Sequence, residues 1–393
     1  MNREGTYRMK TNTKNIIKWI LILAVIALMA GIMWKHKNTA AGNHTAAAVG
    51  TAEQVTFPEE VKEQVTDNFS YDAKITLEKD FDSASCHVAT ASVQQMNKDG
   101  WKKLFLKEDR TWSEEEDTTT DREGNVIPET MYTDEDGSVL YLSDEDGMYY
   151  QYPDMKYIEQ IFDISPYATI KNEFSLENEL TGKSRQQAEE EVKDDLAQLG
   201  VKKDEVVVKE AYALDLETIK RKEQEYVGIN AVAEEEKNPS WEAGDEGYYM
   251  FLEQKVQGLP IFTAGKVQDF ELNGIGQSDV EVFDTGEGIK RLSVSNWFDV
   301  TFGEEVYQLL PFEEIMKTMN QRMEHIEGDG RMTVTECRLY EYPQLVNEKE
   351  YQLRPVWICT VSISQNGEEA VDADKIYIPI DAVTGEEVLD MEE

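Results

Sequence analysis

The feature that most constrains this chain is an apolar segment near its start, Ile16–Trp34, which is interrupted only by Lys18. At a rise of about 1.5 Å per residue, a helix of this length just spans a hydrocarbon core of about 30 Å. Trp19 and Trp34 lie near its ends, where aromatic rings favour the membrane–water interface. The sequence therefore predicts a transmembrane anchor at residues 16–34.

Charged residues before this segment predict its orientation, because Glu4 is outnumbered by Arg3, Arg8, Lys10 and Lys14. By the positive-inside rule, residues 1–15 form a cytoplasmic tail and everything after the anchor is extracellular. Cleavage as a signal peptide is the alternative, but the small-residue site Ala46-Ala47-Ala48 lies far beyond the apolar segment. We therefore expect an uncleaved, single-pass protein of the cell membrane. Residues 35–58, rich in Ala, Thr and Gly, are expected to form a flexible stalk.

The chain is strongly acidic, with 79 acidic residues, 39 basic residues and a net charge of −40. This balance argues against nucleic acid as a partner, since a phosphate backbone needs clustered Lys and Arg. It also argues against binding of the main body to an anionic lipid surface. A well-solvated surface explains the acidity most simply, and a dedicated polycation or metal partner is the alternative.

Residues 59–175 are predicted to form a β-rich N-terminal extracellular domain. A half-buried strand is indicated by apolar residues at alternate positions: Phe69, Tyr71, Ala73, Ile75 and Leu77. The polar segment Lys107–Thr130 predicts a mobile loop, and its part Glu114–Thr130 is a candidate contact surface.

A short internal repeat follows, at Thr133–Leu142 and Ser143–Tyr152, with an Asp-x-Asp-Gly core in each copy. Several carboxylates on one loop suit a calcium ion. Neither copy, however, has the twelve-residue alternating pattern and closing Glu of an EF-hand. Because Asp-Gly between alternating apolar residues is typical of hairpin turns, we favour turns over a metal site.

Two further units with the same order of elements are predicted at residues 181–302 and 303–393. Ser184 caps a helix in the first unit, and that helix ends before Gly200. Pro311 opens a helix in the second, with an apolar face that includes Phe312, Ile315, Met316, Met319 and Met323. Strands follow each helix. The expected fold class is therefore α+β, with an N-terminal transmembrane helix, a mainly β N-terminal domain and two tandem helix-on-antiparallel-sheet units.

Three cysteines, Cys86, Cys337 and Cys359, are too few for a disulfide scaffold. Cys337 and Cys359 fall on strands predicted to be neighbours, so one bridge between them is an open alternative. Buried thiols are the preferred interpretation, because a disulfide has strict geometric requirements that sequence does not supply.

The last part of the chain carries a recognisable pattern. Tyr351-Gln-Leu-Arg-Pro355-Val-Trp357 is followed by Ile376-Tyr-Ile-Pro-Ile-Asp381-Ala-Val-Thr-Gly385-Glu. This resembles the PepSY-type unit, and Tyr248–Phe262 resembles the preceding unit of YycH/YycI-type proteins. The resemblance covers only the C-terminal half. It implies tandem units on a single-pass protein that serves as a membrane accessory of a cell-envelope sensor kinase in Gram-positive bacteria. It implies no catalytic residue. Trp357 shares a strand face with Cys359, so we expect it in the core.

No motif of a catalytic, cofactor, metal or nucleotide site is present. The sequence lacks His-Glu-x-x-His, Gly-x-Ser-x-Gly, a Gly-rich phosphate loop and Cys-x-x-Cys. A dyad of Cys86 and His87 is disfavoured because neighbours on a strand point to opposite faces. His325, near a predicted helix end, is expected on the surface. We therefore predict a non-enzymatic protein with no cofactor and assign no catalytic, metal or binding residue.

The expected function is regulatory binding, as an accessory or adaptor to another membrane or envelope protein. A freestanding surface module for an envelope polymer, a protease or an extracellular ligand is the alternative, and a hydrolase ranks third.

Overall fold

The computed structural model describes residues 52–120, 124–144, 147–153, 178–230, 241–262, 280–324, 330–347, 350–364 and 375–388. The predicted tail and anchor, residues 1–34, and the predicted stalk up to residue 51 lie outside the described residues. Within the described ranges, no helix is long and apolar enough to cross a membrane.

Two β-sheets form the body of the described chain. The first contains β1 (Glu60–Gln64), β2 (Phe69–Thr76), β3 (His87–Val93), β13 (Phe298–Val306), β14 (Arg331–Asn347), β15 (Glu350–Ser364) and β16 (Lys375–Asp381). Its strand order is β1-β2-β14-β15-β3-β13, and β16 pairs with β15. Its pairs are antiparallel except β2 with β14, which run parallel with Met332 opposite Phe69.

The second sheet contains β4 (Trp112–Thr120), β5 (Val126–Asp134), β6 (Val139–Ser143), β7 (Met148–Gln151), β8 (Val206–Leu214), β9 (Gly247–Val256), β10 (Leu259–Pro260), β11 (Val280–Thr285) and β12 (Gly288–Val294). Its order is β10-β9-β11-β12-β7-β6-β5-β4, and β8 pairs with β9. All of these pairs are antiparallel.

Helices cover faces of both sheets. They are α1 (Lys98–Phe105), α2 (Arg185–Gln198), α3 (Leu216–Asn230) and α4 (Phe312–Met323). α1 and α2 contribute Trp101 and Val192 to the core of the second sheet. α4 packs its predicted apolar face, including Met319 and Met323, into the core of the first sheet, which confirms the helix and its buried stripe. Burial of this kind removes apolar area from water and is the main stabilising contribution to such a fold.

The expected arrangement of an N-terminal β domain and two tandem helix-on-sheet units is wrong. The described residues are mostly β, and strands from all parts of the chain mix in the two sheets. β1 to β3 join β14 to β16, whereas β4 to β7 join β8, β9, β11 and β12. Local periodicity identifies a strand and its buried face, but it does not identify the partner strand, which is chosen by packing over long sequence distances.

A tight turn at Gln257 and Gly258 joins β9 to β10. Both residues have positive φ, 51° and 80°, which is the type I′ geometry favoured in two-residue hairpins. A Cβ on Gly258 would lie 2.9 Å from Phe81 Cα and 3.0 Å from Asp80 O. Both contacts are with backbone, which has little room to move.

We expect Gly258→Ala to reduce the free energy of unfolding by about 1–3 kcal/mol, because it adds backbone strain to a close contact. Chemical denaturation followed by tryptophan fluorescence measures the loss. Gly286→Ala is the control, since Gly286 is exposed and its added Cβ meets no atom within 4 Å. Equal stability of the two variants would contradict the prediction.

Candidate functional site

The hairpin of β4 and β5 is the most exposed part of the second sheet. β4 stands at the end of the strand order, where it pairs with β5 and leaves its other backbone edge open among the described strands. Within β4, only Trp112 and Thr119 are even half-buried. On β5, Val126 and Pro128 are exposed, whereas Ile127, Glu129 and Thr130 are half-buried. The segments Glu114–Thr120 and Val126–Thr130 therefore form a ribbon with no fully buried residue. We call these two segments the acidic ribbon.

The base of the acidic ribbon is fixed to the body by polar contacts. Arg110 Nη1 donates to Asp134 Oδ2 at 2.5 Å, and the Asp134 side chain is fully buried. Burial opposes ionisation of Asp134, but hydrogen bonds from Arg110 and Ser138 prevail and hold its pKa below the ordinary value. Tyr132 donates its hydroxyl to Glu114 Oε1 at 2.6 Å. Tyr141 on β6 also donates its hydroxyl to Glu129. These contacts position the ribbon on the body.

Three consecutive carboxylates, Glu115, Glu116 and Asp117, are exposed on the ribbon. No basic side chain of the described residues forms an ion pair with them. Because successive residues of a strand point to opposite faces, the negative charge is presented on both sides of one open edge. An extended segment with basic side chains matches this edge in both hydrogen bonding and charge.

The prediction of a loop at Lys107–Thr130 is wrong for Trp112–Thr120 and Val126–Thr130, which lie in β4 and β5, whereas residues 107–111 lie outside helix and strand. Trp112 to Thr120 pair residue by residue with Asp134 to Val126, and only the tip, residues 121–123, lies outside the described residues. Paired strands hold the candidate contact segment Glu114–Thr130 in a defined, extended conformation.

The two Asp-x-Asp-Gly sequences lie at hairpin turns, as predicted. Asp134 Oδ1 accepts hydrogen bonds from the backbone N–H groups of Asp136 and Ser138, and Gly137 has a φ of 94°. In the second copy, Ser143 N donates to the carbonyl of Gly147 between β6 and β7; residues 145–146 lie outside the description. The described residues contain no group of three or more His, Cys, Asp or Glu side chains placed to hold a metal ion.

Residues considered for catalysis are not brought together. Cys86 is fully buried and directs its thiol at Glu341, whereas the ring of His87 lies 3.2 Å from the carbonyl of Gly303. His325 lies outside the described residues. Cys337 and Cys359 face each other across β14 and β15 as buried free thiols.

A small cleft lies beside the second Asp-Gly turn. Its volume is ≈ 20 Å³, room for about one water molecule, and it is lined by residues that include Ser143, Met148 and Trp297. The cleft is too small to enclose a substrate.

The C-terminal sequence pattern is a structural unit. Arg354 and Asp381, one from each half of the pattern, form a buried ion pair with Arg354 Nη2 at 2.5 Å from Asp381 Oδ2. Asp381 Oδ1 accepts the N–H groups of Val383 and Thr384 at 2.8 Å each, and Gly385 has a φ of 73°. Trp357 is fully buried, as predicted. The pattern therefore stabilises the fold.

Sequence reasoning did not find the Arg354–Asp381 pair or the buried carboxyl of Glu341. Arg354 and Glu341 are each a single charged residue within an apolar strand sequence. Arg354 follows Leu353, and Glu341 lies between Tyr340 and Tyr342. A charge inside a buried strand is the signal that identifies such positions, because it must be paired or neutral there.

Comparison with known proteins gives a fold relative and no family. No protein-family model matches the chain, and no curated protein matches it. An uncharacterized protein from Eubacterium rectale has a similar crystal structure, with a TM-score of 0.58 and 17% sequence identity over 84% of this chain and 94% of that chain.

A distant structural neighbour is the C-terminal domain of Bacillus megaterium YpeB, with a TM-score of 0.29 and 10% identity over 74% of this chain and 92% of that chain. A score this low carries no argument. The resemblance to PepSY-type units therefore stays a prediction, and the narrower resemblance to YycH/YycI-type proteins gains no support from these comparisons. What the chain shares with the Eubacterium rectale protein is the fold alone.

Proposed function

We propose that this chain is a non-enzymatic, membrane-anchored extracellular protein that binds another membrane or envelope protein through the acidic ribbon. The observation that carries the proposal is the ribbon itself, a pair of strands with no fully buried residue, in which β4 is almost entirely exposed and leaves one backbone edge open. Glu129 and Thr130 also pair with β6, so the ribbon has only two described strands in its outer part, Thr118–Thr120 with Val126–Pro128. Two-stranded ribbons are only marginally stable in water by themselves, so a contact that adds a strand at the β4 edge would stabilise this one.

Charge favours a basic, extended segment as the occupant of the open edge. Exposed strand edges invite pairing with other chains, and charged side chains restrict which chains can approach. A second copy of this protein would bring another acidic ribbon and a further net charge of −40, which repels. A segment rich in Lys or Arg would instead neutralise Glu115, Glu116 and Asp117 while adding backbone hydrogen bonds.

The apolar segment at residues 16–34 supports a partner that lies at the outer surface of the membrane. A membrane anchor would hold the body of the protein close to the outer surface of the bilayer, where other membrane and envelope proteins reach it. Tethering raises the effective concentration of such a partner, so a modest contact at the ribbon is sufficient.

The test is crosslinking of the full-length protein in its native membrane, followed by purification and mass spectrometry. We expect the triple variant Glu115→Gln, Glu116→Gln and Asp117→Asn to lose at least tenfold in partner recovery, since several ionic contacts at one edge are removed together. The control Glu304→Gln, Glu305→Gln and Glu313→Gln changes the net charge equally at exposed sites elsewhere. Equal recovery with both triple variants would exclude the ribbon as the contact.

Exchange of residues 16–34 for an unrelated membrane helix distinguishes an adaptor, which also contacts its partner within the membrane, from a freestanding surface module. An adaptor that recognises its partner within the membrane as well loses the partner on the foreign helix. Full recovery on the foreign helix would instead favour a freestanding surface module. Failure to enrich any membrane or envelope protein with the wild-type chain would contradict the proposed function.

A further inference from the structure

The two sheets are joined by the hairpin of β9 and β10. Gln254 exchanges two hydrogen bonds with the backbone of Phe298, through Nε2 at 2.8 Å and Oε1 at 2.9 Å. Gln257 does the same with His87, at 2.8 Å and 2.5 Å. Phe262 then donates its backbone N–H to the carbonyl of Glu341 on β14 at 2.8 Å. These side-chain amides act as peptide groups that attach the hairpin to the first sheet.

A buried carboxyl lies at this junction. The side chain of Glu341 is fully buried, and its Oε1 accepts hydrogen bonds from Gln257 Nε2 at 3.2 Å and from Cys86 Sγ at 3.9 Å. Its Oε2 has no hydrogen-bond partner among the described residues. An ionised carboxylate in this position would lack a counter-charge, and that costs far more than burying the neutral acid.

The groups that face Glu341 do not supply such a counter-charge. Burial raises the pKa of the Cys86 thiol and the pKa of the Tyr307 phenol, so both are neutral near pH 7. Gln257 is uncharged. Arg354 and Asp381 are near Tyr307, but they are paired with each other.

We propose that Glu341 is a proton switch for this junction: its carboxyl is protonated while the β9–β10 hairpin is docked on the first sheet, and loss of the proton to solvent releases the hairpin. The same Gln257 amide contacts Glu341 and His87, so the charge forms directly beside the attachment. This inference is independent of the acidic ribbon.

The direction of the pH dependence follows from burial. Burial raises the pKa of Glu341 from its ordinary value of 4.5 to about 8. Below pH 4.5 the docked and released states are both protonated, and docking is strongest. Between these values the docked state holds one proton more than the released state, so docking weakens as pH rises. Above pH 8 both states are ionised, and no further loss occurs.

Hydrogen exchange of the full-length protein in detergent micelles tests the proposal. The amides of His87 and Phe262 donate across the junction, to Gln257 Oε1 and to the carbonyl of Glu341. Their protection, corrected for intrinsic exchange, should fall about tenfold per pH unit between pH 6 and pH 8 and level off above that. Glu341→Gln should abolish this fall, because the amide is neutral throughout. Glu341→Met is a second variant, which replaces the titratable carboxyl by an apolar side chain and should also abolish the fall.

Glu205→Gln is the matched control, since Glu205 also accepts a glutamine Nε2 at this junction, at 2.8 Å from Gln254. It should keep the wild-type pH dependence. A flat profile in the wild-type protein would overturn the proposal, and so would a wild-type slope that persists in Glu341→Gln or Glu341→Met.

Discussion

Asp381→Asn is expected to lower the free energy of unfolding by roughly 3–5 kcal/mol, the cost of breaking a buried ion pair by removing one partner. The side chains of Arg354 and Asp381 are 9% and 4% exposed, so Arg354 would remain charged, buried and without its carboxylate. The Asn oxygen can still accept from Val383 and Thr384, which keeps the turn. Chemical denaturation followed by tryptophan fluorescence measures the loss.

The double variant Arg354→Met with Asp381→Asn distinguishes the charge from the packing. Removing both charges leaves an apolar side chain of similar length on β15, and buried pairs replaced in this way often cost little. We therefore expect the double variant to be more stable than Asp381→Asn alone. A double variant less stable than Asp381→Asn would contradict this expectation, and would show that Arg354 stabilises the fold through other contacts, such as that of its Nη1 with Gln344 Oε1 at 3.3 Å.

Trp357→Ala is expected to cost roughly 3–5 kcal/mol, the range for a buried aromatic side chain replaced by Ala. Trp357 is fully buried and packs edge to face with Phe57 and Phe312, at ring-centroid distances of 5.2 Å and 5.0 Å. The substitution removes contacts with the segment before β1 and with α4 together. Chemical denaturation followed by circular dichroism measures the loss of unfolding free energy, because the substitution removes a tryptophan and so changes the fluorescence signal.

Trp357→Phe is the matched control. The indole Nε1 of Trp357 has no hydrogen-bond partner among the described residues, so Phe removes a buried unsatisfied donor along with part of the ring. We expect a smaller loss than for Ala. Equal losses for the two variants would indicate that the site does not depend on aromatic packing.

Local features of the fold were predictable from the sequence. Alternation at Phe69, Tyr71 and Ala73 matches the buried face of β2, and Ser184 caps α2 by accepting from Gln187 N at 3.2 Å. Both signals act within a few residues of the chain, so they can be read from the sequence. The parallel pairing of β2 with β14 has no local signal, because register depends on packing between distant segments.

The candidate site was predictable as a location and not as a structure. The segment Glu114–Thr130 is identified by its polarity, but polarity also indicated a loop. The structure instead pairs Thr118 with Pro128 and Thr119 with Ile127 in a hairpin. Thr and Ile favour extended strands, yet these propensities are weak where neither face is fully buried, as at Thr119 and Ile127.

The parallel pair also sets the order in which the protein can fold. Ser70 on β2 contacts Thr333 on β14, 263 residues later, at 3.3 Å. During synthesis, β2 is made long before the strand that completes its sheet, so Phe69 and Tyr71 stay without their final partners until β14 emerges. Such non-local pairing slows folding and prolongs exposure of apolar surface. The first sheet is therefore completed only after the C-terminal strands of the chain have been made.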